Sequence, residues 1–245
     1  MNAQRLLALL VAIIISAPLL LPDGQGVGLV NAILIWSIFA IGFDLVFGVA
    51  GMLSFGHAAF FGVGAYTLSL LTMRMGWDFI PSLGAAGVVG GAVALVFSYF
   101  AIRVSGLFFA LLTLALSQLN EVRAEQIGFN VQRLQRSVFT ISGVYAGVSG
   151  GLLASLIFYV GPQMLHWTTS GDVVIMVLLG GMGTLFGPIL GVAIFEIMRE
   201  WLSTQTSHWY GILGLIFIIC TIGMPKGIAG LITQLWDRIM PGGKS

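Results

Sequence analysis

An acid, a hydroxyl and an imidazole lie within fourteen residues as Asp44, Ser54 and His57, the residue types of a nucleophilic hydrolase triad. The local pattern argues against that chemistry. Ser54 sits in MLSFG without the G-x-S-x-G elbow, no H-E-x-x-H follows, and no second acidic partner stands where a metal would need one. No catalytic residue, metal ligand or cofactor is therefore expected. In so apolar a neighbourhood the expected role of His57 is a hydrogen bond to a carbonyl freed in the glycine-rich turn before it. Asp44 is expected at the membrane interface or paired within a complex.

A second polar feature reads differently. Residues 120–136, NEVRAEQIGFNVQRLQR, gather Glu121, Arg123, Glu125, Arg133 and Arg136 in a chain of which charged residues make up only 8%. Glu121 and Glu125 are four apart and share a helix face, while Arg123 points elsewhere. Gly128, followed by Phe129 and Asn130, reads as a helix C-cap and turn. Apolar runs flank the island at 107–116 and 138–160, so the chain is expected to leave the bilayer here, present a short charged helix to water and return. A docking helix is one reading of it and an ordinary solvated loop the other.

The elements that hold these groups follow from composition. Hydrophobic residues make up 58% of the 245, with 34 glycines and 17 phenylalanines, and the mean hydropathy is +1.04. A soluble globule of this size needs far more surface charge. The lipid bilayer is thus the expected solvent, and a net charge of +1 gives no reason to expect nucleic acid as a partner. The lone Cys220 lies in the apolar run 212–223 and reads as a small core hydrophobe.

Eight apolar blocks succeed one another at 6–21, 27–47, 55–72, 80–102, 107–119, 138–160, 173–197 and 210–224. None alternates with period two, so the predicted fold class is an all-α, polytopic bundle of transmembrane helices with discontinuous or re-entrant segments. Arg5 before the first block also suits a signal peptide, but the run is long, no A-x-A site follows, and Pro18 and Pro22 suit a helix end; a first membrane helix is expected. Glycines Gly48, Gly51 and Gly56 separate the second block from the third. Gly180, Gly181, Gly183 and Gly187 break the seventh, leaving 173–179 too short to span. Such breaks survive at membrane depth where protein or a water-filled cavity satisfies the freed backbone groups, and paired breaks in two halves commonly mark a translocation path. Ser54 and His57 flank the first break and join the path candidates. The two breaks, GVAGMLSFG and GGMGTLFG, match only with a one-residue gap. Gly143, Gly147 and Gly151 instead form a packing stripe on one helix face. Trp167, Trp201 and Trp209 read as interface anchors, and Glu196, Arg199 and Glu200 as a helix end reaching water.

Charge sets the topology incompletely. If Arg5 and the arginines of 120–136 are both cytoplasmic, an even number of spans must separate them, and five blocks do. One block then only dips into the membrane, with the 13-residue block 107–119 the expected one, or a segment is missing. In the second half, 161–172 carries no Lys or Arg, while Lys226, Arg238 and Lys244 favour a cytoplasmic tail. That arrangement requires the seventh block to turn back on itself.

The ordered motifs GMLSFGHAAFFGVGAY at 51–66, NEVRAEQIGFNVQRLQ at 120–135, FTISGVYAGVSGGL at 139–152, VLLGGMGTLFGPILG at 177–191 and MPKGIAGL at 224–231 resemble the M-type permease subunit of branched-chain amino acid ABC importers, over nearly the whole chain. The resemblance implies an inner-membrane, multi-pass permease that pairs with a related second permease subunit, two cytoplasmic ATPase subunits that bind the ATP, and a periplasmic substrate-binding protein. It makes the polar island the ATPase-coupling loop, with Asn120, Glu121, Arg123, Ala124, Glu125, Gly128 and Asn130 as its docking residues. One permease domain is then expected over 1–245, with an N-terminal half at 1–118, the coupling loop at 119–136 and a C-terminal half at 137–245. Arg133 and Arg136 anchor the next helix at the lipid headgroups.

The resemblance departs at one junction. Family members carry a further stretch before the coupling helix, whereas here Leu119 runs straight into Asn120 and Glu121. An internal deletion there is expected, at the same junction as the odd parity, with re-entrant helices in a shorter variant as the alternative. Leucine, isoleucine and valine are the substrates the resemblance implies. Urea or short amides, and a membrane scaffold that no longer transports, are the other readings.

Overall fold

The computed structural model describes residues 25–113, 131–206, 208–223 and 227–239, with 12 and 16; for 25, 100–113, 131, 221, 222 and 235–239 it describes the backbone alone. The first apolar block and coupling-loop residues Asn120, Glu121, Arg123, Ala124, Glu125, Gly128 and Asn130 lie outside the described residues. Among the described residues the fold is entirely helical, and four helices are long and apolar enough to cross a membrane. They support a multi-pass membrane protein.

Helix α1 (Gln25–Asp44) is apolar all round, as a lipid-embedded helix must be. Its 20 residues give about 30 Å at 1.5 Å per residue, the thickness of the hydrocarbon layer. A π-helical turn, Leu45–Val49, continues it to the first glycine break. Helix α2 (His57–Met75) follows, ended by Gly76 at φ 66°, a left-handed C-cap that glycine adopts without a Cβ penalty. Helix α3 (Phe79–Thr113) then runs unbroken for 35 residues. This corrects the expectation of separate blocks at 80–102 and 107–119, because Ser105 and Gly106 lower helix propensity without removing a backbone hydrogen bond as proline would.

Helix α4 (Val131–Ile157) is followed by a 3₁₀ turn, Pro162–Leu165, and α5 (Trp167–Gly180). The second glycine break leads to α6 (Gly187–Gln205), α7 (Trp209–Gly223) and α8 (Gly227–Ile239). The seventh block does turn back on itself: Gly180 packs on Gly187, and Gly191 on the Met176 carbonyl, so α5 and α6 form a tight antiparallel hairpin. At 14 residues α5 is about 21 Å long, short of a full span. Sequence reading missed α8, whose apolar residues Ala229, Ile228 and Ile232 pack with Leu190, Phe186, Ile189 and Ile194.

Two compact units result. One comprises 42–170 and the other 1–41 with 171–245. The first is a three-helix body in which α4 packs against both α2 and α3, as its glycine stripe predicts. Gly143 meets Ala94 and Gly90, Gly147 meets the Ala86 carbonyl, and Gly151 meets Leu68 and Ala86. From α2, Gly64 comes down on the backbone of Gly147. With lipid as solvent there is little hydrophobic drive between helices, and such close approaches supply dispersion contacts instead. The hydroxyls of Ser37, Thr67, Thr72 and Ser149 bond back to carbonyls three or four residues earlier, so they add no unsatisfied group to the apolar surroundings.

Candidate functional site

The first break begins where the backbone leaves the π turn. Ala50 donates to the Leu45 carbonyl (3.1 Å) and Met52 to Val46 (2.8 Å), and Gly51 takes φ 68°. Gly48, Gly51, Ser54, Gly56 and His57 lie together here within one unit. The start of α2 is held by two serines that sequence reading did not single out. Ser142 of α4 meets His57 Nε2 at 2.9 Å, and the Ser170 hydroxyl accepts from the Ala58 backbone N–H at 2.8 Å. Both serines and His57 are fully buried. The signal for them was weak: a lone serine in an apolar helix, outnumbered by others that merely bond back to their own turn.

Around His57 stand Phe43, Phe60 and Phe139, with ring centroids 5.1, 5.2 and 5.0 Å away in edge-on geometry. Such arrangements set the positive edge of one ring against the negative face of the other. The histidine thus bonds a packed hydroxyl across the helix interface, and the backbone of Ser54 in the turn lies beside its ring, as expected. Its Nδ1 is buried with no hydrogen-bond partner. With Nε2 on the Ser142 hydroxyl, the imidazole does not serve Ser54 Oγ as a triad base would. Asp44 is buried in α1.

The second break is built differently. The Thr184 hydroxyl donates to the Gly181 carbonyl at 2.9 Å and accepts from the Gly187 N–H at 3.1 Å, closing the turn on itself. Gly227, at φ 66°, lays its backbone on Gly180 and Gly181, where any Cβ would overlap. Gly180, Gly181 and Gly187 thus pack closely, while Gly183 lies in the exposed tip of the turn with Met182 and Leu185.

One polar reading in the same unit changes. Glu196 is fully buried, paired with Arg199 at 2.7 Å, so it does not reach water; Arg199 is the partly exposed member of the pair. Trp167 and Trp201 are well exposed, as interface anchors should be. In the three-helix body Arg136 lies over the Tyr99 ring at 5.2 Å, a cation–π contact that fixes the start of α4. Cys220 is half-buried in α7.

Comparison with known proteins gives these features a family. The family model described as "Branched-chain amino acid transport system / permease component" matches residues 27–119 and 112–221, two pieces that meet at 112–119. The high-affinity branched-chain amino acid transport system permease protein LivM of Salmonella typhimurium (strain LT2) is 22% identical over 315 residues, covering 91% of this chain and 74% of that relative. LivM of Escherichia coli (strain K12) is 21% identical over the same shares. An alignment of 315 residues to a chain of 245 carries gaps on this chain's side. No solved structure matches. Matched over most of its length, the chain belongs to the permease components of branched-chain amino acid transport systems, a family of membrane transport proteins and not of enzymes.

Proposed function

We propose that the chain is the inner-membrane permease subunit of an ATP-driven importer of branched-chain amino acids. It forms the translocation path with a second permease subunit, docks two cytoplasmic ATPases through 120–136 and receives substrate from a periplasmic binding protein. It needs no cofactor of its own, since the partners bind the ATP. The observation that carries this reading is the way α4 is tied in. It is the first described helix after the coupling segment, and it holds the glycine break through Ser142 and His57. A pull on the segment before α4 is therefore delivered to the break through a rigid, glycine-interlocked body.

The merged α3 supports the required orientation. With 107–113 part of α3, four blocks precede 120–136 in place of five, and if 6–21 spans, the coupling segment shares the side of Arg5. Cysteine labelling in intact cells tests this on a Cys220→Ala background, with single cysteines replacing Gln126 and Gln163. Labelling from outside at 163 and not at 126 is expected, together with ATP-dependent leucine uptake by the reconstituted complex; the reverse labelling overturns the coupling role. A non-transporting scaffold is the second reading. It is favoured by the family match, whose two pieces meet at 112–119 beside the suspected deletion, and it predicts no uptake with normal assembly.

A further inference from the structure

After α4 the chain turns back into the depth of the three-helix body. Arg74 and Asp78, exposed at the α2–α3 turn, mark one end of that body, and Arg133 and Arg136 at the start of α4 mark the other. Contacts between helices set the levels in between. Phe61 of α2 meets Gly150 of α4, Gly64 meets Gly147, and Leu165 packs on Gly62, between the two. Gly62 stands twelve residues before Arg74, about 18 Å along the helix, and Gly147 eleven residues after Arg136, about 16 Å. A hydrocarbon layer is about 30 Å thick, so Leu165 lies near its middle. Farther on, the Ser170 hydroxyl takes the Ala58 N–H next to the His57–Ser142 contact, at a level still nearer the start of α4.

The reversal begins at Phe158, whose φ of 51° is one that L side chains rarely adopt. Backbone of this kind persists where the surroundings dictate it, and it gathers at functional sites. Beyond Phe158 the backbone is irregular until the 3₁₀ turn Pro162–Leu165. Irregular backbone at membrane depth is tolerated where protein buries it or where it lines water. One side of this loop is buried, through Gly161, Met164 and Ser170. The other side is exposed and largely polar. Phe158 and Tyr159 are exposed at the end of α4, and Gln163, His166 and Thr168 are exposed farther in. Gln163 Oε1 takes the Tyr159 hydroxyl at 3.3 Å, and His166 Nδ1 meets Thr168 Oγ1 at 2.9 Å. Gln163 Nε2 and His166 Nε2 make no hydrogen bond among the described residues. Lipid tails would leave both nitrogens unsatisfied, whereas water, entering along the exposed residues from the end of α4, satisfies them.

We propose that residues 158–168 form a re-entrant loop lining an aqueous vestibule that runs from the outer face to the middle of the bilayer, and that Gln163, His166 and Thr168 are the side chains an amino acid passes there. The inference rests on the importer reading above and deepens it by naming residues of the path. Residues 157–171 include no Asp, Glu, Lys or Arg. The lining therefore offers neutral donors and acceptors to a zwitterion without an ion pair to hold it, and a path must bind weakly enough to release. Trp167, on the same segment, then stands in the vestibule and not among the headgroups.

The test is made on the assembled complex in intact cells, in the Cys220→Ala background, with Gln163→Cys, His166→Cys or Thr168→Cys. Val88→Cys is the control: Val88 of α3 is 70% exposed, and the adjoining Gly87 packs on Val148, at the level of Leu165. A charged, membrane-impermeant methanethiosulfonate is added outside, and the rate of modification and the uptake of radiolabelled L-leucine are measured. Only a hydrated thiol ionises readily to the reactive thiolate, so the three loop cysteines should react on the order of a hundredfold faster than Val88→Cys. Modified Thr168→Cys, the mildest of the three changes, should lose leucine uptake. Slow reaction at all three loop positions would mean that lipid or a partner subunit covers the loop, and fast reaction at Val88→Cys would put this level outside the hydrocarbon layer. Either result overturns the vestibule, and full uptake after complete modification of Thr168→Cys overturns its place on the path. A parent chain that takes up no leucine overturns the importer reading, while the labelling pattern still decides the vestibule.

Discussion

The two glycine breaks look alike in sequence and are closed differently in structure. In GGMGTLFG a threonine three residues before Gly187 closes the turn, and the Gly227 backbone covers it. In GVAGMLSFG the residue three before Gly56 is Leu53, which has no hydroxyl to give. No side-chain hydroxyl closes that turn, and Val49 and Phe55 are exposed there as Met182 and Leu185 are in the second break. A glycine break at membrane depth is therefore not one kind of object. The side chain three residues before the last glycine decides whether a hydroxyl closes the turn, and in the second break it does so beside a close packing of glycines.

The largest effect that would test this division belongs to Gly227. Valine there must adopt φ 66° with a β-branched side chain and overlap the Gly181 backbone, so Gly227→Val should destabilise by about 3 kcal/mol or more. In size-exclusion profiles after heating, the folded peak should disappear well below the wild-type temperature; an unchanged profile would mean the second break is not packed. Next comes Gly187→Ala, whose Cβ would overlap the Gly181 carbonyl and Thr184 Oγ. About 1–3 kcal/mol is expected, and a neutral result would erase the contrast. Thr184→Val keeps the volume and removes both hydrogen bonds. Peptide and soluble caps are worth about 1 kcal/mol, yet hydrogen bonds in membranes average about 0.6 kcal/mol, so a loss of roughly 1 kcal/mol is the expected reading of the same assay.

Much of this architecture is visible in the sequence because the bilayer imposes it. Block lengths located α1, α2, α4 and α7, the small-residue spacing of Gly143, Gly147 and Gly151 named the face on which α4 packs, and the glycines of 180–187 marked the hairpin. What escaped was set by contacts far apart in the chain. Ser142 lies 85 residues from His57 and Ser170 lies 112 from Ala58, and nothing local distinguishes them from serines that cap their own helix. Glu196 was misread because the adjoining Arg199 and Glu200 look like a water-facing helix end, whereas its i,i+3 pairing with Arg199 lets the carboxylate be buried with a counter-ion. Helix α8 was missed because only half its face is apolar, too little for a membrane block and enough to cover Leu190.

The smallest predicted effect is also the most discriminating. Gly56 stands where Gly187 stands in the other motif, but its φ of −84° is open to any residue, and an added Cβ would make only an ordinary contact with Ser54 Oγ. Gly56→Ala should thus change stability by no more than about 0.5 kcal/mol, the range of substitutions that disturb no packing or special backbone. The same assay that registers Gly187→Ala as damage should barely register its counterpart. If Gly56→Ala is instead as costly as Gly187→Ala, the first break is as closely packed as the second. If it is neutral, the two turns differ by packing alone: the same methyl group that overlaps the Gly181 carbonyl in one makes an ordinary contact in the other.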